Sequence, residues 1–461
     1  MTFGSHQQAA RALALTVVDV EADSRPILDV GFDDVVQPPK LALFAVQHLL
    51  TLSAIWVFPV LIGITLGLAT GDVTSMIQAS FLLSGVVTVL QSSRIVRLPI
   101  VQGPTAAFFA AVLAAGAAYG LDAAFGSMVV AGLIFMALTI PIGRFGVLIH
   151  VLRFATDPLV FGTICIIIGA QLATLGLPGW FGAEGQPGYG WDLFWIGLVT
   201  LLTVVVCLLL GGSTLVRRAA VLIGMLAGSV LAAVTGLWNV PDMSGVSFVG
   251  PPSLLPFGFA VAWPAVLLML LAFLESSAEA VGMYTLVSRW GGTELSRERI
   301  NRGLFTEYAG SVAGALFGGI GTASYPENAG IVRVTRVGSR FVTMAAGFLA
   351  IALAFLPVVS AFVAGLPGAV LAAASTVLFG IIAMSGVQMM STVRWDELNL
   401  TVAGTAFILA LGGQWLPEAM VTTMPDWARA LVTTPMMFGA VLLIVLNATV
   451  NYGLRPLLAR R

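Results

Sequence analysis

The chain has 461 residues, 58% of them hydrophobic and 9% charged, with a formal net charge of −1. Soluble domains carry about 25% charged residues, so a soluble globular protein is excluded. The near-zero charge offers no basic field for a nucleic-acid partner.

Residues 1–40 are polar and acidic and lack the basic start and apolar core of a secretory signal. They are expected to form a cytoplasmic tail, partly disordered, with a short helix around RALALTVV (11–18). From residue 41 onward long apolar stretches dominate, the pattern of membrane spans. The first carries Gln47 and His48 within FAVQHLL, where an intramembrane His is either a packing residue or a polar relay. The other histidines, His6 and His150, form no cluster with it. Cys165 and Cys207 sit in apolar runs, so no disulfide, metal site or cofactor is expected.

Basic residues set the span count, because cytoplasmic loops carry the Lys and Arg excess. After Arg11, Arg25 and Lys40 come Arg94 and Arg97, then Arg144 and Arg153, then Arg217 and Arg218. Arg289, Arg297, Arg299 and Arg302 follow, then Arg333, Arg336 and Arg340, then Arg394, then Arg455, Arg460 and Arg461. Each interval has room for two crossings, which predicts fourteen spans with both termini inside. The intervening turns TGD (70–72), GWFGAEGQPGYGWD (179–192) and LWNVPDMSGVSFVGPPS (237–253) have no Lys or Arg. Arg429 alone departs from the pattern, leaving 20 of the 21 basic residues inside.

The third span, LPIVQGPTAAFFAAVLAAGAA, opens with Gly and Pro where a helix should run. So does the tenth, GTASYPENAGIV, which has fewer than the roughly 20 apolar residues of a full crossing. Pro104 and Pro326 lie about half the chain apart, and paired broken spans point to an inverted-repeat transporter with its site at mid-membrane. Seven is odd, so the second half runs inverted.

Four carboxylates fall inside predicted spans, and each is a functional candidate. Glu275 and Glu279 in span eight (LLAFLESSAEAVGMY) share a helical face at i, i+4. Small residues around them leave space for a ligand or a close helix. Glu307 in span nine follows Arg302 closely, so an interfacial position is an alternative to a buried one. Glu327 follows Pro326 at the start of a half-helix, where positive helix-end charge favours an anion or an electron-rich ligand atom. Asn328 adds donors and an acceptor. A planar ligand with alternating N–H and C=O edges would suit carboxylates and free backbone N–H groups together. Arg333, Arg336 and Arg340, at helical spacing, are expected to mark a cytoplasmic end. An intramembrane enzyme would need a nucleophile–base or metal-ligand set, and no such motif is present.

These residues resemble the nucleobase–ascorbate transporters, also called nucleobase:cation symporter 2. SYPENAGIVRVTR fits the family signature through Glu327, Asn328, Gly330, Thr335 and Arg336. Gln47–His48 looks like the family's first-span motif, LESSAEAVG resembles its eighth-span motif, and RLPIVQGPTAAFFA its broken third span. The resemblance runs from about 41 to 452. It implies an all-α polytopic membrane protein of fourteen spans in a 7+7 inverted repeat, with short extended segments in spans three and ten. It implies a cytoplasmic tail at 1–40, a core domain from 41–148 and 260–364, a gate domain from 149–240 and 365–452, and a second tail at 453–461. The gate would support a homodimer in the inner or plasma membrane. The resemblance further implies proton-coupled import of a nucleobase by core-against-gate motion. Glu275, Glu327, Ala106, Pro326 and Asn328 would bind it, and Glu279, Glu307, His48 and Gln47 would shape proton coupling. An acid at 279, where uracil-type relatives have His, leans toward purines such as xanthine, uric acid or guanine. Uracil is the alternative, and an anion exchanger of the same fold is less favoured by an acid at 327.

Overall fold

A computed structural model describes residues 28–52, 54–140, 148, 157–212, 215–238, 243–293, 295–391 and 393–458. The expected helix at 11–18, His6 and His150 lie outside the described residues. The described residues are mostly helical. α1 (Pro38–Thr51) and α2 (Ala54–Leu66) follow one another in a single apolar run. α3 (Thr70–Leu90) continues into a π-helical turn at 91–95 that places Gln91 in the interior. β1 (Gln102–Pro104) leads to α4 (Ala106–Tyr119), and α5 (Leu121–Leu138) follows. Then come α6 (Pro158–Leu172), α7 (Trp191–Leu210) and α8 (Ala220–Val234).

The second half runs through α9 (Trp263–Trp290), α10 (Arg297–Leu316), β2 (Thr322–Ser324) and α11 (Pro326–Thr335). α12 (Arg340–Ala354) and α13 (Pro357–Ala364) meet at an 81° bend. α14 (Gly368–Met390), α15 (Glu397–Gly412) and α16 (Pro435–Asn447) complete it. Among the described residues nine helical stretches are long and apolar enough to cross a bilayer, ten if the bent pair counts as one.

Packing gathers these helices into two sets. α3 lies along α12, α5 along α9 and α10, and α4 along α9. Separately, α6 lies along α14, α7 along α8, and α15 along α16. Glycine makes the tightest member of each set possible. A Cβ on Gly85 of α3 would sit 2.6 Å from the Gly347 carbonyl of α12, and one on Gly347 2.8 Å from the Gly85 carbonyl. Gly162 of α6 and Gly386 of α14 meet the same way, at 2.9 and 2.4 Å. Apolar side chains gain little from leaving lipid, so close backbone approach supplies the attraction instead.

Part of the expected tail is held against the helices. Residues 28–34 form a strap across one end of the first set. The Arg336 carbonyl accepts from Asp29 N (2.9 Å) and Val30 N (3.1 Å), and Val30 O accepts from Gly338 N (2.9 Å). Phe32 covers Gly291, where any Cβ would lie 2.1 Å from its ring. Asp33 bridges Arg340 Nε (2.6 Å) and Arg97 (3.1 Å). The Arg340 and Arg97 guanidiniums hold its carboxyl below the ordinary 3.8. The three arginines at helical spacing do not share one helix. Arg336 takes a left-handed conformation (φ 56°) that ends α11, and Arg340 opens α12.

Candidate functional site

The two broken segments meet. β1 and β2 pair antiparallel, with Gln102 opposite Ser324, Gly103 opposite Ala323 and Pro104 opposite Thr322. Two further backbone bonds extend the contact, Tyr325 N to Val101 O (2.9 Å) and Thr105 N to Gly321 O (3.2 Å). The short strands answer the problem posed by Gly and Pro at these positions: within an apolar slab, non-helical backbone must pair with something. Gly103 permits the approach, because a Cβ there would lie 2.8 Å from the Tyr325 ring.

Each strand runs straight into a half-helix. Thr105 caps α4, its Oγ1 accepting from Phe108 N at 3.2 Å, so Ala106 is the first helical residue. Pro326 occupies the first turn of α11, where its missing N–H is harmless. The first N–H groups of a helix have no partner within it, so both half-helices open with donors available to an electron-rich ligand. Asn328 is 1% exposed, and its Oδ1 shares a 2.8 Å hydrogen bond with His48 Nδ1 of α1. The Asn328 Nδ2 and the Oε1 of buried Gln47 have no hydrogen-bond partner among the described residues. Glu327 is placed in the first turn of α11, and its side chain lies outside the described residues.

The remaining acids separate sharply. Glu275 lines a cavity between α9 and the second helix set, walled by Phe161 and Ile164 of α6 and Met436, Ala440 and Ile444 of α16. Leu271 and Leu274 complete its apolar wall. Glu279, one turn on, is half-buried. Between them Ala278 packs on Phe161 and Cys165, so this face of α9 is the one turned toward α6.

Glu307 is 1% exposed, enclosed by its own protein. Its Oε1 accepts from Gln102 Nε2 (2.7 Å), Tyr284 Oη (2.7 Å), Ser324 Oγ (2.9 Å) and Gln91 Nε2 (3.2 Å). Those donors come from both strands, the π turn after α3, and α9. Sequence reasoning missed them. Gln102 and Tyr284 stand inside the motifs that attracted notice, but hydrogen bonds across up to 216 residues leave no local signal.

Comparison with known proteins bears on the family and the fold. The family model described as "Permease family" (Xan_ur_permease) matches residues 39–419. A uric acid permease, PucK of Bacillus subtilis, is 28% identical over 89% of this chain and 95% of its own length. A uracil permease of Bacillus caldolyticus is 29% identical over 85% of this chain and 89% of its own. Among solved structures, murine Solute Carrier 26 family member A9, an anion transporter in the inward-facing state, aligns with a TM-score of 0.64 at 12% identity. That alignment covers 91% of this chain and 69% of the other, and it shows a shared fold.

Proposed function

The chain belongs to the nucleobase–ascorbate transporter family, and from that premise we propose that it is a proton-coupled symporter importing a nucleobase. Its relatives are permeases, so it is a transporter and not an enzyme. The observation that carries the reading is the placement of Glu275. It is an intramembrane carboxylate on the wall of a cavity between two helix sets, in a chain whose broken spans pair beside the same helix. A carboxylate accepts N–H donors and helix N-termini donate to carbonyls, which suits the mixed edge of a base.

In this reading the α3–α5 and α9–α13 set, with α1 and α2, is the core domain, and the α6–α8 and α14–α16 set is the gate. The grouping of helix contacts supports that division. Counting α1–α2 as one crossing, α12–α13 as another and each other helix from α3 to α16 as one matches the fourteen spans of a 7+7 inverted repeat. Glu275 and Glu327 hold the base, with Ala106, Pro326 and Asn328 at the half-helix openings. His48 fixes Asn328, while Glu307, Glu279 and Gln47 govern proton linkage. The core then slides against the gate, which also joins two copies in the cell membrane with both termini cytoplasmic. Purines are favoured over uracil by the acid at 279.

The test is uptake of labelled uric acid, xanthine, guanine and uracil into proteoliposomes with an imposed pH gradient. The expected result is accumulation of one or more of these that collapses with a protonophore. Uptake of none, or uptake indifferent to the gradient, would refute the reading.

A further inference from the structure

The polar cluster at Glu307 is larger than its carboxylate needs. Four donors converge on Oε1, yet Oε2 has no hydrogen-bond partner among the described residues. The same holds for one other buried atom of the cluster, Gln102 Oε1. Both orphans are acceptors. A carboxylate offers acceptors alone, whereas a carboxyl group adds one donor. A single proton on Glu307 therefore supplies the kind of group the cluster lacks, and its loss leaves two unpaired acceptors in a dry interior.

What the proton touches is the second observation. Gln102 and Ser324 face one another across the two-stranded sheet, and both donate to Glu307 Oε1. Gln102 Nε2 also reaches Ser324 Oγ (3.1 Å) and Gln91 Oε1 (3.0 Å), and its backbone N–H is held by Thr88 Oγ1 (2.8 Å). Within four residues of each strand residue the chain enters a half-helix. A change in how Glu307 holds Gln102 and Ser324 is thus delivered to the backbone that frames the base.

We propose that Gln102 and Ser324 form the latch through which proton occupancy at Glu307 sets the geometry of the two half-helix openings. This rests on the proton-coupled reading above and assigns positioning roles to residues that do not themselves carry the proton. Three guanidiniums border the π turn that carries Gln91: Arg94 within it, Arg340 donating to Ser92 O and Ser93 O, and Arg299 donating to Val96 O. Tyr284 of α9 is the titratable group bonded to Glu307, and Tyr308 adjoins it on α10. Glu275, Glu279 and Arg289 of α9 and Arg302 of α10 lie elsewhere along those helices. On the packed elements α3 and α5, Asp72 and Asp122 sit at the ends opposite Gln91 and Phe135. Among the described residues none of the three guanidiniums at the π turn is bonded to Glu307, whose partners are Gln91, Gln102, Tyr284 and Ser324.

The experiment measures nucleobase affinity from pH 5.5 to 8.5 together with gradient-driven uptake and gradient-free exchange, for the full chain and for Gln102→Leu and Ser324→Ala. Leu keeps the approximate volume of Gln and removes its amide. For Gln102→Leu, affinity at the optimal pH should stay within about threefold while its pH dependence flattens, since coupling of roughly 5–150-fold is what such a latch carries. Gradient-driven uptake should fall about tenfold with exchange retained, a split that simple misfolding does not produce. Ser324→Ala, a smaller change that decides the matter should Gln102→Leu fail to fold, should shift the pH profile in the same sense. Wild-type pH profiles in the folded variants overturn the latch alone. A wild-type protein without pH-dependent transport overturns the proton-coupled reading and the latch with it.

Discussion

Glu275 and Glu307 sit on packed neighbouring helices, α9 and α10, yet their surroundings are opposite in kind. Glu275 faces a cavity walled by Phe161, Ile164, Met436 and other apolar side chains. Glu307 is enclosed by Gln91, Gln102, Tyr284 and Ser324, which crowd one of its oxygens. A carboxylate set against apolar walls without donors is expensive to keep, which makes Glu275 a candidate to meet an incoming donor. Four donors already hold one oxygen of Glu307, and its other oxygen is buried without a partner among the described residues. Its remaining freedom is whether it holds a proton. In the proposed reading the contrast separates the group that meets substrate from the group that senses protons, although both are acids in apolar helices.

Four substitutions break or sharpen this contrast. The largest effect is expected at Glu275→Gln. Losing a charged acceptor worth about 1.5–3 kcal/mol should weaken nucleobase binding roughly 10–100-fold, read by calorimetry or thermal shift. Next is Glu307→Gln, which should cut gradient-driven uptake about tenfold yet keep binding within about threefold, because the cage and not the ligand loses its partner. Equal loss of binding in the two variants would erase the distinction.

His48→Ala comes third. It leaves the buried Asn328 Oδ1 without its 2.8 Å partner, so affinity should fall about fivefold, at the lower end of the 1–3 kcal/mol for an orphaned acceptor. Its pH profile should match wild type, which assigns His48 to the Glu275 side of the contrast. The smallest effect is at Asp33→Asn in the strap, remote from both acids. Its carboxyl, held below 3.8 by Arg340 and Arg97, stabilises the fold above the unfolded value, and that contribution is lost as pH falls through the lower folded one. Asp33 is 61% exposed, so solvent screens the pair. The melting temperature at pH 7 should drop by only roughly 1–2 °C, a gap that closes below about pH 4. Transport should be unaffected.

Much of this was legible in the residues. The Gly and Pro of VQGPT and SYPEN marked the breaks, because a helix cannot pass through them in lipid without repair. The four acids stood out because charge in apolar helices is rare. What escaped was pairing across sequence distance. Nothing local in IVQGP tells that Gln102 turns toward an acid on α10, since its partners are fixed by how the strands meet. The strap escaped for a different reason: LDVGFDD reads as polar tail, and its order comes from Arg97, Gly291, Arg336 and Arg340, which lie far along the chain. Burial of Glu307 was undecided by its distance from Arg302, because α10 dives inward within a turn of that arginine.

The most direct measurement is the number of protons taken up when base binds, obtained by titrating the best-transported nucleobase into the protein in buffers of different ionisation enthalpy. Binding to Glu307→Gln should persist with proton uptake abolished, while Glu275→Gln binds too weakly to titrate under the same conditions. Proton uptake unchanged in Glu307→Gln, or binding lost there and kept in Glu275→Gln, would contradict the division of roles between the two acids.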